Sequence, residues 1–236
     1  LSVVGAIDAL CAGRLVDAAF GPLPARGKLV AIPPTGPAGI GERRVVDVDV
    51  PSSTIRFGRP GVGRHDPDFT AAMVIAHILG GGVFSARLFK EVREKRGLAY
   101  SISASLSAGA AAAALYGGTS TKNDRAKESL DVISSEIAAL GAEGPSAEEL
   151  ANAQAYLVGS YPLHFDTSTK IAAQLLQIQR DGFGAGWLTE RNAKIEALTL
   201  PEAKRVAGRL LGDGGLAVAI AGRPEGFGSI KTTETP

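Results

Sequence analysis

Three histidines are the side chains in this sequence best suited to bind a metal ion or to transfer protons. His65, His77 and His164 lie 12 and 87 residues apart. None belongs to an H-E-x-x-H or H-x-x-E-H motif, which would place two imidazoles on one face of a helix. Cys11 is the only cysteine, which excludes a thiolate cage for zinc and an internal disulfide. The spacing therefore predicts no catalytic zinc site within this chain.

A run of three glycines, Gly80 to Gly82, is the next candidate for chemistry. It lacks the lysine of a phosphate-binding G-x-x-x-x-G-K-[ST] loop, and it follows a predicted helix rather than a strand. Ser85 lies close by, but no G-x-S-x-G elbow surrounds it and no histidine is near it in sequence. Residue chemistry alone favours a hinge between two helices, with Ser85 as the cap of the second.

The stretch 87–96 contains five basic and two acidic residues, a local charge of +3. Arg87, Glu91 and Lys95 are spaced as successive i,i+4 pairs of opposite sign. Such a run is typical of a solvated helix face crossed by ion pairs. By the same argument Tyr100 is an aromatic residue at the start of a strand, and residue chemistry alone gives it no further role.

The composition limits the classes of function. The chain has 236 residues, of which 45% are hydrophobic and 21% charged, enough to bury a substantial core. A net charge of +1 and an aromatic content of 6% argue against nucleic acid as a partner. No stretch reaches the roughly 18 consecutive apolar residues of a membrane span. The chain opens at Leu1 without a charged targeting region, which favours a start inside a longer polypeptide.

The elements that position these residues fall into two segments. Residues 1–7 read as a short buried strand, and Asp8 can cap a helix that places Cys11 on its core face. Prolines and glycines over residues 21–41 predict a linker. The predicted division is 1–41 for the leading strand, helix and linker, and 42–236 for an α+β module.

The second segment shows strands, then helices, then strands, then many helices. The pattern predicts a sheet covered on one face by helices, an α+β layer. A Ser146-Ala-Glu-Glu capping box begins one helix, and Gly97 ends another in the left-handed conformation. The predicted strands are 44–50, 53–57, 98–107, 110–119 and 216–221, and later helices cover about 168–180, 188–197 and 201–211.

More than twenty contiguous residues, from Leu79 to Ile102, closely resemble the non-metal half-module of the M16 zinc peptidases. Their sequence is LGGGVFSARLFKEVREKRGLAYSI. This family includes pitrilysin, insulysin and the mitochondrial processing peptidase. The opening segment ending in Phe20-Gly-Pro-Leu-Pro, the linker, and the closing strand to Gly222 fit as well, so the resemblance covers nearly the whole chain. It implies a mixed, largely antiparallel sheet covered on one face by helices, the half-module of LuxS-like and processing-peptidase-like metallohydrolases.

The resemblance also implies roles for particular residues. In the family one module brings the H-x-x-E-H zinc motif, and the other brings an arginine and a tyrosine seven positions apart, which are Arg93 and Tyr100 here. The pair holds the substrate and stabilises the oxyanion during attack on the peptide carbonyl. The glycine-rich loop, shorter here than in the processing peptidase, contacts substrate in the family. The expected substrate contacts are Gly80, Gly81, Gly82, Phe84 and Ser85.

The missing zinc motif implies that this chain holds no zinc and is inactive alone. The expected partner is an H-x-x-E-H module, on the same polypeptide or on a separate subunit, which carries the zinc and forms a dimer of modules around a peptide. A periplasmic location is favoured by the resemblance only. Two alternatives remain: a catalytically silent structural subunit like the bc1 core proteins, and a stand-alone module that binds peptides by strand addition. The presence of both Arg93 and Tyr100 favours the enzyme.

Overall fold

A five-stranded sheet forms the centre of the molecule, for which a computed structural model describes residues 1–82, 84–109, 111–184 and 186–227. Its strands are β1 (Arg43–Val46), β2 (Ser52–Pro60), β3 (Ala99–Ala108), β4 (Ala113–Lys122) and β5 (Ala217–Ala221). They lie in the order β1–β5–β2–β4–β3. Only β1 and β5 pair in parallel, and the other neighbours are antiparallel. The predicted mixed, largely antiparallel sheet is confirmed.

Helices cover one face of this sheet. Strand β2 shows why: Ile55 and Phe57 are buried while Arg56 between them is exposed, as expected for a sheet with one face towards a core. The described residues form α1 (Ala9–Phe20), α2 (Phe69–Ala76), α3 (Ala126–Glu143), α4 (Ala147–Gly159), α5 (Ser168–Arg180), α6 (Trp187–Glu196) and α7 (Leu200–Leu211). Helices α2, α3 and α7 pack together against the sheet. The α+β layer is therefore confirmed.

Side chains cap several helices where the sequence predicts them to begin. The Ser146 hydroxyl accepts a hydrogen bond from the Glu149 backbone, and the Glu149 carboxylate accepts one from the Ser146 backbone. This reciprocal pair satisfies two N–H groups that a helix start would otherwise leave without partners. Thr167 and Thr199 cap α5 and α7 in the simpler way. Local hydrogen bonding thus fixes these helix starts.

The N-terminal segment differs from its prediction. Residues 1–7 form no strand, and Cys11 is exposed rather than packed, although Asp8 does cap α1. Helix α1 has no buried residue. A strand needs a neighbour to satisfy its backbone groups, and the described chain brings no sheet edge to residues 1–7. The division at residue 41 stays a prediction, and the last nine residues of its second part lie outside the described residues.

The glycine run ends the helix that precedes it. Helix α2 continues as a π-helical turn, His77–Gly81, which Gly82 closes by donating its N–H to the His77 carbonyl at 3.0 Å. The next helical segment begins at Arg87 rather than at Ser85, and no side chain caps its π-helical turn, Phe89–Glu94. One π-helical turn therefore lies before the loop and another lies after it. Such turns are frequent at functional sites.

Candidate functional site

An open cleft of about 600 Å³ lies where β3 begins and β4 ends. Arg93 and Tyr100, the two residues implied by the resemblance, both line it. The antiparallel register of β3 with β4 brings the start of one strand beside the end of the other. The remaining lining residues are Ser52, Gly97, Leu98, Ala99, Ser120, Thr121, Lys122 and Arg125.

A tight turn brings Arg93 and Tyr100 together. Arg93 lies on the π-helical turn Phe89–Glu94, which ends because Gly97 adopts a left-handed conformation with φ of 57°. The Gly97 N–H donates to the Arg93 carbonyl at 2.9 Å, and the chain then enters β3 with Tyr100 as its second residue. The Arg93 guanidinium carbon lies 4.6 Å from the centroid of the Tyr100 ring. This stack is a cation–π contact, which leaves the N–H donors of the guanidinium available.

An aromatic chain connects this pair to the glycine-rich loop. The Arg93 guanidinium carbon also lies 4.8 Å from the centroid of the Phe89 ring. Phe84 contacts the same ring edge to face, with 5.4 Å between the centroids. Phe89 is buried, whereas Phe84 is 72% exposed and Tyr100 is 83% exposed. Buried Phe89 thus supports two exposed aromatic residues and the arginine between them.

Arg87 anchors the segment that carries Arg93. Its guanidinium forms two hydrogen bonds to the Glu149 carboxylate, at 2.6 and 2.8 Å, and these join the segment to α4. The predicted ion pair between Arg87 and Glu91 is wrong, because one edge of the Arg87 guanidinium, Nε and Nη2, donates to both carboxylate oxygens of Glu149 in a bidentate bond. Arg87 therefore has a structural role.

Lys95 and Arg96 of the stretch 87–96 are neutralised locally. Glu91 pairs with Lys95, as predicted, and also with Arg96, and its hydrogen bonds to these two cations lower the pKa of Glu91. Arg93 takes part in none of the ion pairs of the described residues. The solvated, ion-paired face predicted for this stretch therefore does not account for Arg93.

The three glycines differ in their surroundings. Gly80 is buried, and a Cβ there would lie 2.4 Å from the backbone nitrogen of Ala104 in β3, so close packing requires glycine. Gly81 is exposed, whereas Gly82 is buried beside the Ser85 hydroxyl. The substrate contacts implied by the resemblance stay a prediction for all five loop residues.

The histidines lie in separate places. His77 stacks on Tyr156 under the glycine-rich loop, and burial lowers the pKa of His77, which keeps the imidazole neutral near pH 7. His65 packs on Phe183, and His164 lies beside Tyr161. Among the residues that the structure describes, no three His, Cys, Asp or Glu side chains form a metal-binding group. The described residues therefore offer no set of ligands that fits a zinc ion.

Two cationic residues of the cleft, Lys122 and Arg125, could not be identified from the sequence. Lys122 ends β4, and Arg125 follows three positions later at the start of α3. Strand register places Lys122 opposite Ser52 of β2, seventy positions away in the sequence. A short Lys-Asn-Asp-Arg sequence carries no signal of its own, so only the sheet topology reveals that both side chains share a cleft with Arg93.

The fold and the site define an α+β module with a basic cleft at one end of its sheet. The family model for the peptidase M16 inactive domain matches residues 1–157. This chain belongs to that family, as the resemblance predicts. In the described residues no helix is both long and apolar enough to cross a bilayer.

Relatives and a solved structure agree with this assignment. An uncharacterized zinc protease from Streptomyces coelicolor is 30% identical over 157 residues, which are 66% of this chain and 34% of the relative. An uncharacterized zinc protease from Mycobacterium tuberculosis is 29% identical over 84% of this chain and 45% of its own length. The peptidase M16 inactive domain from Pseudomonas fluorescens shares the fold, with a TM-score of 0.81 and 23% identity over 98% of this chain and 53% of that one. The chain thus spans less than half the length of these curated relatives.

Proposed function

We propose that this chain is the half of a two-module peptidase that holds the peptide substrate and completes the active site of an H-x-x-E-H module. The observation that carries the proposal is the stack of Arg93 on Tyr100 at the wall of the cleft. Three of the four other cations in the stretch 87–96 pair with carboxylates, namely Arg87, Lys95 and Arg96. Arg93 pairs with no carboxylate of the described residues and, unlike Lys90, lines the cleft, where it remains available to acceptors of a bound molecule.

The two side chains have the donors that peptide hydrolysis requires. Attack of water on a peptide carbonyl places negative charge on its oxygen, and donors aimed at that oxygen bind the transition state more strongly than the substrate. Arg93 offers a rigid fork of N–H donors and Tyr100 offers one O–H. A single donor of this kind contributes about 3 to 4 kcal/mol in a site shielded from water. Zinc in the partner module would supply the activation of the attacking water.

The proposal includes the glycine-rich loop as a wall for the peptide. Gly81, Phe84 and Ser85 are exposed and would contact the peptide directly. Gly80 is buried against Ala104 and would hold the loop backbone close to β3, and Gly82 is buried beside Ser85 and His77. Because Phe84 reaches Arg93 through Phe89, a peptide lying along the loop would extend towards the Arg/Tyr pair.

The test is the hydrolysis of a quenched-fluorescence peptide library by this chain mixed with its H-x-x-E-H partner and zinc. We expect cleavage in the mixture only, and a decrease of at least about 100-fold in the Arg93→Ala/Tyr100→Phe double variant. Arg96→Ala is the matched control, because it removes a cation of the same stretch that is paired with Glu91 and does not line the cleft.

Two results would contradict the proposal. Full cleavage by the double variant would mean that the chain encloses the peptide but takes no part in its hydrolysis. Absence of cleavage in every mixture, with a folded chain and a zinc-loaded partner, would favour the catalytically silent structural subunit.

A further inference from the structure

The cleft holds more positive charge than the Arg/Tyr pair accounts for. Lys122 and Arg125 line it together with Arg93, so three cationic side chains surround a volume of about 600 Å³. Of the ten described residues that line the cleft, none is acidic. Ser52 and Ser120 add hydroxyl groups to the lining. This set of donors is complementary to an anion.

The described residues neutralise only one of these three charges, that of Arg125. Arg125 Nε donates to the Glu128 carboxylate at 2.9 Å, and the Arg125 side chain remains 43% exposed. Lys122 is exposed and, like Arg93, takes part in none of the ion pairs of the described residues. Like charges held close together repel one another, and an anion that enters between them relieves this repulsion.

The positions of the cationic residues along the cleft indicate which anion fits. Tyr100 lies at the start of β3 with Arg93 on the π-helical turn before it, and Lys122 lies at the facing end of β4. A peptide held by the pair would therefore place a neighbouring group beside Lys122 and Arg125. The anion that a peptide carries is a carboxylate, which accepts charge-assisted hydrogen bonds from lysine and from the fork of arginine.

We propose that Lys122 and Arg125 form a carboxylate subsite, so that the cleft selects peptides with a carboxylate next to the segment held by Arg93 and Tyr100. This inference rests on the proposed peptide-holding function and adds the class of substrate to it. An Asp or Glu side chain and the C-terminus of a peptide present the same carboxylate chemistry, and the experiment separates the two.

The experiment measures binding of fluorescently labelled ten-residue peptides, by anisotropy, to the full chain mixed with its partner while a chelator removes zinc. The peptides share one Ala- and Leu-rich sequence with either Glu or Gln near its centre, each as a C-terminal acid and as an amide. We expect one of the two carboxylates to tighten binding about 10-fold, the scale of a charge-assisted hydrogen bond. The Glu/Gln and the acid/amide comparisons identify which carboxylate it is.

Three variants complete the test. Lys122→Gln and Arg125→Gln should each abolish most of the preference, whereas Lys127→Gln should keep it, because Lys127 pairs with Asp131 and does not line the cleft. Equal binding of charged and neutral peptides, or an equal loss of preference in the Lys127→Gln control, overturns the subsite. Selective binding without cleavage in zinc overturns the peptidase function alone, and cleavage without selectivity overturns the subsite alone.

Discussion

Arginines occur in two contrasting regions of this molecule. At the start of α2, Asp66 and Asp68 form a network with Arg205 and Arg209 of α7, with Arg205 Nη2 donating to Asp68 Oδ1 at 2.6 Å. In the cleft, Arg93 is stacked on Tyr100 and has no such carboxylate among the described residues. The network joins two helices, whereas the cleft leaves its cation for a ligand. In this comparison the paired arginines Arg205 and Arg209 stabilise the fold, whereas Arg93, unpaired among the described residues, remains available to a ligand.

The contrast between the two regions would be wrong if Arg93 contributed mainly to the free energy of unfolding. In the mixture with the H-x-x-E-H partner, we expect Arg93→Ala to lower kcat by about 100-fold and Arg93→Lys by about 10-fold, because lysine keeps the charge but loses the planar fork. The free energy of unfolding should fall by no more than about 1 kcal/mol, the scale of an exposed cation–π contact. Initial rates and chemical denaturation measure the two quantities, and a large loss of stability with normal kcat would contradict the assignment.

Substitutions in the network of Asp66, Asp68, Arg205 and Arg209 should instead lower the stability of the fold. We expect Asp68→Asn to lower the free energy of unfolding by about 2 kcal/mol, because a carboxylate that is only 9% exposed loses its charge-assisted hydrogen bonds to Arg205 and Arg209. Asp166→Asn is the control, since it breaks an exposed pair with Lys170 and should cost much less stability than Asp68→Asn. Thermal and urea unfolding measure both variants. Equal effects would show that the network contributes no more than a surface pair.

The dependence of the unfolding free energy on pH below about pH 5 also tests the role of Asp68. Hydrogen bonds from Arg205 and then Arg209, against the opposing effect of burial, lower the pKa of Asp68 from 3.8 to about 2. A carboxyl with a depressed pKa contributes stability that is present above its unfolded-state pKa and is lost as the pH falls towards the folded-state pKa. The difference in unfolding free energy between the wild type and Asp68→Asn should therefore be constant above about pH 5 and shrink between pH 4 and pH 2. A difference that persists at pH 2 would contradict the role of Asp68.

The glycine run also contains a residue that stabilises the fold, buried Gly80, next to an exposed one, Gly81. Gly80→Ala should lower the free energy of unfolding by about 1 to 3 kcal/mol, because the new Cβ would overlap the backbone of Ala104. Gly81→Ala places its Cβ 3.3 Å from His77 Nδ1 and should change stability by less than about 0.5 kcal/mol. Urea denaturation of both variants compares them. If Gly81→Ala were the more destabilising, the division into a packed and an exposed glycine would be wrong.

Local patterns were sufficient to predict most of the module. The helix beginning after Ser146 and the strand that β2 forms depend on capping and on alternation, which act within a few residues. Residues 1–7 show the limit: a short apolar run indicates a segment suited to a sheet, but not whether a neighbouring strand exists.

The site was predictable only in part. The resemblance implied Arg93 and Tyr100, and Gly97 predicted the turn between them. The partner of Arg87 lies 62 positions away, so i,i+4 spacing could not identify it. Lys122 reaches the cleft through strand register, which depends on the whole sheet rather than on neighbouring residues.

The smallest effect should come from the region with the fewest contacts. Deleting residues 1–32 removes α1, which has no buried residue, and stops before Thr35, whose N–H donates to the Ala111 carbonyl at 2.7 Å. We expect the free energy of unfolding to change by less than about 0.5 kcal/mol, as for surface changes that leave a core intact. Deleting residues 1–46 instead removes β1 and its parallel pairing with β5, which should destabilise the fold measurably. If the shorter deletion were as damaging as the longer one, the N-terminal segment would pack on the sheet module, and the predicted boundary at residue 41 would be wrong. Because neither deletion touches the cleft, the shorter variant should also retain the carboxylate preference, which ties that preference to residues beyond the linker.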